Sequence, residues 1–189
     1  MAKSLNLSSV QSRISFSSAV FRILIVLSLV WASCKTDKNK FSETPFLELK
    51  GAYVNNNGVD KDSFILLSLY YRDGDGDVGL AEGDTFSPFG FGDPYFYNLH
   101  IWMYEKKNGQ WRKPLNPLSP DNDTLNFHER LMSLTPTGKN KWIEGFLDVR
   151  VPAEPYSLKP DTIKFEIQLF DRSLKRSAML QSDEIILDH

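Results

Sequence analysis

Three aspartates occupy alternate positions in residues 73–80, which read DGDGDVGL. Glycines between the carboxylates leave the backbone free to turn all three side chains toward one point. Calcium is a hard cation that takes six to eight oxygen ligands, and flexible acidic loops supply such ligands. Asp73, Asp75 and Asp77 are therefore predicted to bind calcium.

The spacing of the segment partly follows that of a twelve-residue calcium loop of the EF-hand kind. If Asp73 is position 1, Leu80 falls at position 8 as an apolar anchor and Asp84 falls at position 12 as a further ligand. Position 6 is Val78, whereas such loops carry glycine there, and Asp84 is one methylene shorter than the usual glutamate. With no flanking helix pattern, the sequence predicts a calcium loop placed on a sheet. The alternative is a solvated turn, since Asp and Gly also favour turns for local reasons.

Short apolar stretches separated by turn signals run through the rest of the chain, and none has a helical period. Residues 64–71 are almost continuously apolar, which predicts a central strand covered on both faces. The predicted strands are residues 45–54, 64–71, 95–105, 110–113, 127–134, 142–151, 162–171 and 178–187. This pattern predicts an all-β fold, an immunoglobulin-like antiparallel β-sandwich of seven to eight strands after an N-terminal signal segment. A small barrel is the alternative.

An immunoglobulin-like strand order brings the acidic segment to the same end of the sandwich as the loops at 135–141 and 171–177. Asp171 is therefore a further candidate calcium ligand. Arg172 is a competitor, because its guanidinium could pair with the aspartates and form a salt-bridged corner without a metal.

The N-terminal leader has the outline of a secretory signal. It contains Lys3, Arg13 and Arg22 with no acidic residue, an apolar stretch at 23–30, and the sequence WASC ending at Cys34. This ending is similar to a bacterial lipobox, apart from Trp31, and predicts a membrane attachment through lipidated Cys34. The predicted organisation is a lipoprotein signal peptide at 1–33, a polar tether at 34–44 and a β-sandwich domain at 45–189. A signal cut near Ser33, or an uncleaved anchor, is the alternative.

Charge and cysteine content restrict the possible functions. Without the first 34 residues the chain has 19 basic and 24 acidic residues, a net charge of −5. This balance argues against a nucleic-acid partner. Cys34 is the single cysteine, so disulfides within the chain are excluded.

Residues 86–97 are rich in aromatic side chains, and the candidates for ligand contact are Phe86, Phe89, Phe91 and Tyr95. Exposed rings on a sandwich loop can stack on sugars or bind a peptide or protein partner. The alternative is that the rings fold back and form a small core of their own.

The sequence shows no catalytic constellation, and the chain is predicted not to be an enzyme. His100, His128 and His189 lack metal-ligand spacing, and no serine stands in a nucleophile-elbow context. Glu82 and Asp84 could in principle serve a small hydrolase.

Four stretches together resemble a group of uncharacterised lipoproteins of the Bacteroidetes. They are the leader with Cys34, DGDGDVGL at 73–80, TPTGKNKWIEG at 135–145 and DTIKFEIQLFDRS at 161–173. The resemblance implies a cell-envelope location as an outer-membrane lipoprotein, on either its periplasmic or its surface side, and implies no activity. The sequence therefore predicts a non-catalytic interaction module with a structural calcium loop.

Overall fold

The computed structural model describes residues 41–56, 62–133 and 141–188. All of them belong to one compact unit, Asn39–His189. The predicted signal peptide, Cys34 and most of the predicted tether lie outside the described residues, as do His189 and nearly all of the loop at 135–141.

Two antiparallel sheets contain the strands of the described part of the chain. The strands are β1 (Phe46–Asn56), β2 (Asp62–Asp73), β3 (Leu99–Lys107), β4 (Gln110–Arg112), β5 (Ile143–Pro152), β6 (Thr162–Leu169), β7 (Leu180–Gln181) and β8 (Ile185–Ile186), with a 3₁₀ turn at Pro155–Ser157. One sheet has the order β1-β2-β5. The other has the order β4-β3-β6-β7, and β8 also pairs with β6. The prediction of an all-β sandwich of about eight strands is confirmed.

The core lies between the two sheets, because alternate residues of each strand point inward. Ile65, Leu67 and Leu69 of β2 are fully buried, as are Ile101 of β3 and Phe165 of β6. β2 is central in its sheet, as its apolar sequence predicts, and it pairs with β5 in unbroken register from Phe64↔Pro152 to Asp73↔Ile143.

The strand order supports the immunoglobulin-like assignment, which stays a prediction. The chain passes from one sheet to the other between β2 and β3, returns between β4 and β5, and crosses again between β5 and β6. Immunoglobulin domains change sheet at the corresponding B–C and E–F connections.

Three predicted strands differ from the observed ones. The strand predicted at 95–105 begins at Leu99, since the preceding residues form turns. Residues 127–134, predicted as a strand, make only isolated bridges where described, such as Leu99↔Glu129. The strand predicted at 178–187 is two short pieces. There, hydroxyl oxygens replace backbone acceptors: the N–H of Leu169 donates to Ser177 Oγ and that of Phe165 to Ser182 Oγ.

Candidate metal centre

The acidic segment leaves the sandwich at the end of β2 and turns against the loop that follows β6. Asp73 is the last residue of β2, and Val78 forms a β-bridge with Asp171. The N–H of Arg172 donates to the carbonyl of Asp77 at 3.1 Å. The two loops are therefore joined through their backbones, as the predicted strand order requires.

Four aspartates converge at this junction: Asp73, Asp75, Asp77 and Asp171, called here the aspartate cluster. One carboxylate oxygen from each lies within 4.8 Å of the others, so the cluster could hold a metal ion. Asp73 and Asp171 are 0% and 1% exposed. Buried carboxylates at this spacing repel one another strongly unless a cation or a proton lies between them.

The two most buried aspartates are oriented by backbone donors. Asp73 Oδ2 accepts hydrogen bonds from the N–H groups of Gly76 at 2.7 Å and Asp77 at 3.1 Å. Asp171 Oδ1 accepts one from the N–H of Lys175 at 2.8 Å. Gly76 has φ of +70°, a left-handed conformation that glycine adopts without strain, and this turn directs its N–H toward Asp73.

The other two aspartates are oriented mainly by side chains of the 171–177 loop. Asp75 Oδ2 lies 2.8 Å from Lys175 Nζ. Asp77 Oδ2 accepts hydrogen bonds from the Ser173 hydroxyl at 2.7 Å and the Ser173 N–H at 3.1 Å. Each cluster carboxylate therefore has one oxygen that protein donors hold in place.

The second oxygen of each carboxylate has no such partner. Five buried side-chain polar atoms lack a hydrogen-bond partner in the described residues, and four of them belong to the cluster: Asp73 Oδ1, Asp75 Oδ1, Asp77 Oδ1 and Asp171 Oδ2. Buried polar groups in native proteins are nearly always satisfied, so these four oxygens would need a cation, a proton or solvent as partner.

Burial sets the proton affinity of the two innermost aspartates. Burial, followed by the neighbouring Asp75 carboxylate, raises the pKa of Asp73 to about 7. Burial also raises the pKa of Asp171 to about 6. The hydrogen bond from the N–H of Lys175 opposes this shift, because it favours the charged form. Without a cation, a proton on Asp73 relieves part of the repulsion near neutral pH.

The two outer aspartates differ because only Asp75 accepts a hydrogen bond from Lys175. Burial opposes ionisation of Asp75, but the hydrogen bond from Lys175, together with those of Asp73 and Asp77 and the charge of Lys175, holds its pKa below the usual value. The same contact raises the pKa of Lys175. Burial raises the pKa of Asp77, although Ser173 stabilises its charged form.

The first described residues are bound to the same junction. The N–H of Gly74 donates to the carbonyl of Ser42 at 2.8 Å. A Cβ on Gly74 would collide with the carbonyl oxygens of Phe41 and Ser42, so this approach requires glycine. Lys175 Nζ also contacts Glu43 Oε2 at 3.2 Å. The end of the predicted tether is thus packed on the acidic loop.

The inclusion of Asp84 among the predicted ligands is not supported by its position. Asp84 lies outside the cluster, and both of its oxygens are already paired. Oδ2 accepts a hydrogen bond from the N–H of Ala81 at 2.7 Å, and Oδ1 pairs with Arg172 at 2.8 Å. Arg172 does therefore neutralise a loop carboxylate, but not one that faces the cluster. Leu80 is fully buried, as expected for the apolar anchor.

Sequence reasoning missed Lys175 and Ser173, which orient Asp75 and Asp77. The sequence indicates only that both residues belong to the 171–177 loop, which the strand order predicts to lie beside the acidic segment. Lysine and serine are common in loops, so their types alone did not distinguish them.

Arg130 stabilises the aromatic loop, residues 86–97, from inside. Its guanidinium donates to the carbonyls of Asp84 at 2.8 Å, Phe96 at 2.7 Å and Phe89 at 3.2 Å. Its Cζ also lies 4.9 Å from the centre of the Phe96 ring. A charged group that satisfies three carbonyls at once fixes the shape of a loop that has no regular structure.

The four candidate ligand-binding rings of this loop divide into two pairs. Phe86 and Phe91 are 82% and 91% exposed. Phe89 and Tyr95 are half-buried, and Tyr95 packs on Phe170 with ring centres 5.3 Å apart. The loop therefore folds two rings back and presents two to solvent.

His100 and His128 stack on each other with ring centres 4.5 Å apart. Burial, with His100 beside it, lowers the pKa of His128 to about 4, and its Nδ1 accepts the N–H of Ile101. Neither ring belongs to a metal-ligand group of the described residues. The pair serves packing.

Comparison with known proteins found no matching family model, no similar curated protein and no similar solved structure. In the described ranges, no helix has the length and apolarity needed to span a membrane.

Proposed function

We propose that the protein is a lipid-anchored, extracytoplasmic β-sandwich that binds calcium structurally and works as a non-catalytic interaction module. The observation that supports the calcium site is the group of four aspartates, each with one carboxylate oxygen within 4.8 Å of the others and one buried oxygen that no described donor binds. A cation would give all four a partner at once.

The chemistry of the cluster suits calcium. All four ligands are hard carboxylate oxygens, and calcium accepts flexible sets of such oxygens, whereas magnesium demands near-ideal octahedral geometry and keeps several waters. The four oxygens lie within 4.8 Å of one another, close enough to contact one ion. Solvent or backbone oxygens would complete the six to eight positions that calcium takes.

The position of the cluster supports a structural role for the ion. Asp73 ends β2 and Asp171 follows β6, so the ion would join the two sheets of the sandwich. Lys175 links the same site to Glu43 at the start of the domain. A cation there stabilises the folded state by its binding free energy, because the unfolded chain lacks the site.

Calcium is therefore expected to raise the melting temperature of the protein. At a hundredfold excess over Kd the gain is about 2.7 kcal/mol, which corresponds to roughly 5–10 °C for a domain of this size. Asp75→Asn should abolish the rise. Asp84→Asn is the matched control, since it removes the same charge from the same loop but outside the cluster, and should keep the rise. An identical melt in calcium and in EDTA would refute the site.

The leader and the resemblance to Bacteroidetes lipoproteins support the anchor and the cell-envelope location. Lipid chains contribute about 0.8 kcal/mol for each buried CH₂, and more than one chain gives stable attachment. Cys34→Ser should release the protein from membranes into the soluble fraction. Unchanged membrane association of that variant, measured by fractionation, contradicts the proposed lipidation.

A second candidate is a carbohydrate- or peptide-binding module that uses the aromatic loop. It is favoured by Phe86 and Phe91, which are exposed while Arg130 holds the loop around them. A rigid loop presents rings at low entropic cost. Binding on a glycan or peptide array should be lost with Phe91→Ala, and absence of binding to either array counts against this candidate.

A further inference from the structure

The outward face of the three-stranded sheet is unusually apolar. Side chains of β1, β2 and β5 that point away from the core form this outer face. Its apolar members are Phe46, Tyr53, Phe64, Leu66, Tyr70 and Phe146. Phe146 is 72% exposed, Tyr53 57% and Phe46 38%. A sheet face that meets only water normally alternates to polar residues.

In β2, the sequence predicts cover on both faces, whereas the structure covers only the inner face. The β2 sequence is apolar on both sides, which is typical of a strand covered on both faces. The inner side is buried against the second sheet, but the outward residues of β5 beside it are all exposed. Exposed apolar patches of this kind mark interaction sites.

Charged groups on the outer face have both signs, and some lack an ionic partner. Asp148 is exposed and forms no ion pair with any described residue. Arg150 lies 5.0 Å over the Phe64 ring, also without a carboxylate partner in the described ranges. Lys50 lies 5.3 Å over Tyr70 and pairs with Glu48. A surface with both signs can complement itself.

A two-fold axis parallel to β2 would bring these charges together. Because β1 and β5 flank β2, such an axis lays β1 of one copy over β5 of the other. Gly51 and Asp148 both pair with Ser68, so they occupy one row of the sheet. Lys50, which precedes Gly51, then approaches Asp148 of the second copy.

We propose that the outer face is the contact between two copies of this chain, packed face to face about that axis. Three strands about 4.8 Å apart and ten residue pairs of about 3.3 Å give a footprint of roughly 500 Å². Stable interfaces bury about 800 Å² on each partner. The contact is therefore weak, and it forms where copies are concentrated on a membrane, a condition that rests on the proposed anchor.

Photo-crosslinking of the full-length chain in its membrane tests the contact. The photoreactive residue p-benzoylphenylalanine replaces Phe146, and in a control it replaces Phe91, which is also exposed but lies on the aromatic loop. Position 146 should give a covalent dimer, confirmed by mass spectrometry, in at least roughly tenfold higher yield than position 91. Equal yields at both positions, or adducts of position 146 with other proteins only, would overturn the proposal.

Charge reversal tests the orientation of the two copies and does not depend on the calcium site. Asp148→Lys places like charges opposite each other and should lower the dimer yield from position 146 by roughly tenfold, about 1.4 kcal/mol. Adding Lys50→Glu in the same chain should restore the yield. If the double variant stays as low as the single one, the proposed arrangement is wrong. The calcium-dependent melt should be the same in all these variants, so failure here is distinct from failure of the calcium site.

Discussion

Each aspartate of the cluster uses its two oxygens differently. One oxygen is bound by a protein donor: backbone N–H groups for Asp73 and Asp171, and side-chain donors from Ser173 and Lys175 for the other two. The other oxygen is buried and has no hydrogen-bond partner among the described residues. This arrangement fixes the geometry of the carboxylates before a ligand binds. In the unbound protein, the carboxylates repel one another, and this repulsion lowers stability.

Replacement of Asp73 by asparagine should therefore have opposite effects with and without calcium. In EDTA at a pH above the pKa of Asp73, Asp73→Asn removes a buried charge and its amide can donate to a neighbouring carboxylate, so the melting temperature should rise by roughly 2–4 °C, the equivalent of about 1 kcal/mol. In calcium the variant should lose the stabilisation expected for the native protein. Thermal melts under both conditions check this. A loss of stability in both would indicate that Asp73 acts only through its bonds to Gly76 and Asp77.

Lys175 is the cationic neighbour of the cluster through its contact with Asp75. Lys175→Met keeps an unbranched side chain but removes the positive charge beside the four carboxylates. We expect a lower melting temperature in EDTA and a larger rise on adding calcium, because the ion then relieves more repulsion. Lys50→Met, on the outer face, is the matched control and should leave the calcium rise unchanged. A smaller rise for Lys175→Met would contradict this electrostatic account.

At the scale of elements, irregular segments connect the two sheets at the end of the sandwich that carries the aspartate cluster. The acidic loop is joined to the loop after β6 by the Val78↔Asp171 bridge, and the aromatic loop surrounds Arg130. Neither loop has a regular helix or strand, so side-chain hydrogen bonds and a few backbone contacts set their shapes.

Arg130→Lys should loosen the aromatic loop without affecting the metal site. Lysine retains the charge but lacks the planar fork that reaches the carbonyls of Asp84, Phe89 and Phe96 together. Faster amide hydrogen exchange is expected across residues 86–97, measured by mass spectrometry, with the calcium melt unchanged. Unchanged exchange would show that ring packing alone maintains the loop.

The sequence predicted the sheet regions and the convergence of the aspartates for local reasons. Alternating carboxylates and alternating apolar residues are visible without three-dimensional information, and the sandwich order places Asp171 beside them. The pairing of Asp84 with Arg172 and Ala81 was not predictable from spacing, because it depends on which oxygen meets which donor. The division between β7 and β8 depends likewise on the hydroxyls of Ser177 and Ser182.

For the whole molecule, the raised pKa values make stability depend on pH in the absence of calcium. The pKa of Asp73 is about 7 and that of Asp171 about 6, both above the ordinary aspartate value. The folded state then holds protons that the unfolded chain has released. The stability that these groups contribute is present at pH 4 and below, and is lost as the pH rises through 6 to 7.

Calcium binding should consequently release protons near pH 6 and few at pH 8.5. In EDTA the melting temperature should fall between pH 5 and pH 8, and calcium should remove most of this fall.

The lowered pKa of His128 acts in the opposite direction, since the stability that His128 contributes is lost as the pH falls from 6.5 toward 4. Because His128 affects the melting temperature equally in calcium and in EDTA, the difference between the two melting temperatures reports on the aspartates alone. Calorimetry in buffers of different ionisation enthalpy counts the protons, and a count of zero at pH 6 would contradict the assigned protonation.

The contacts of Ser42 and Glu43 with the acidic loop also have a mechanical consequence. A pull on the N-terminal side of the domain reaches the Gly74–Ser42 hydrogen bond and the Lys175–Glu43 pair before it reaches β1. Lys175 is in turn held by Asp75, one of the cluster carboxylates. An ion in the cluster would stabilise the loop that makes these contacts. Bound calcium would therefore raise the force needed to detach the first residues from the sandwich.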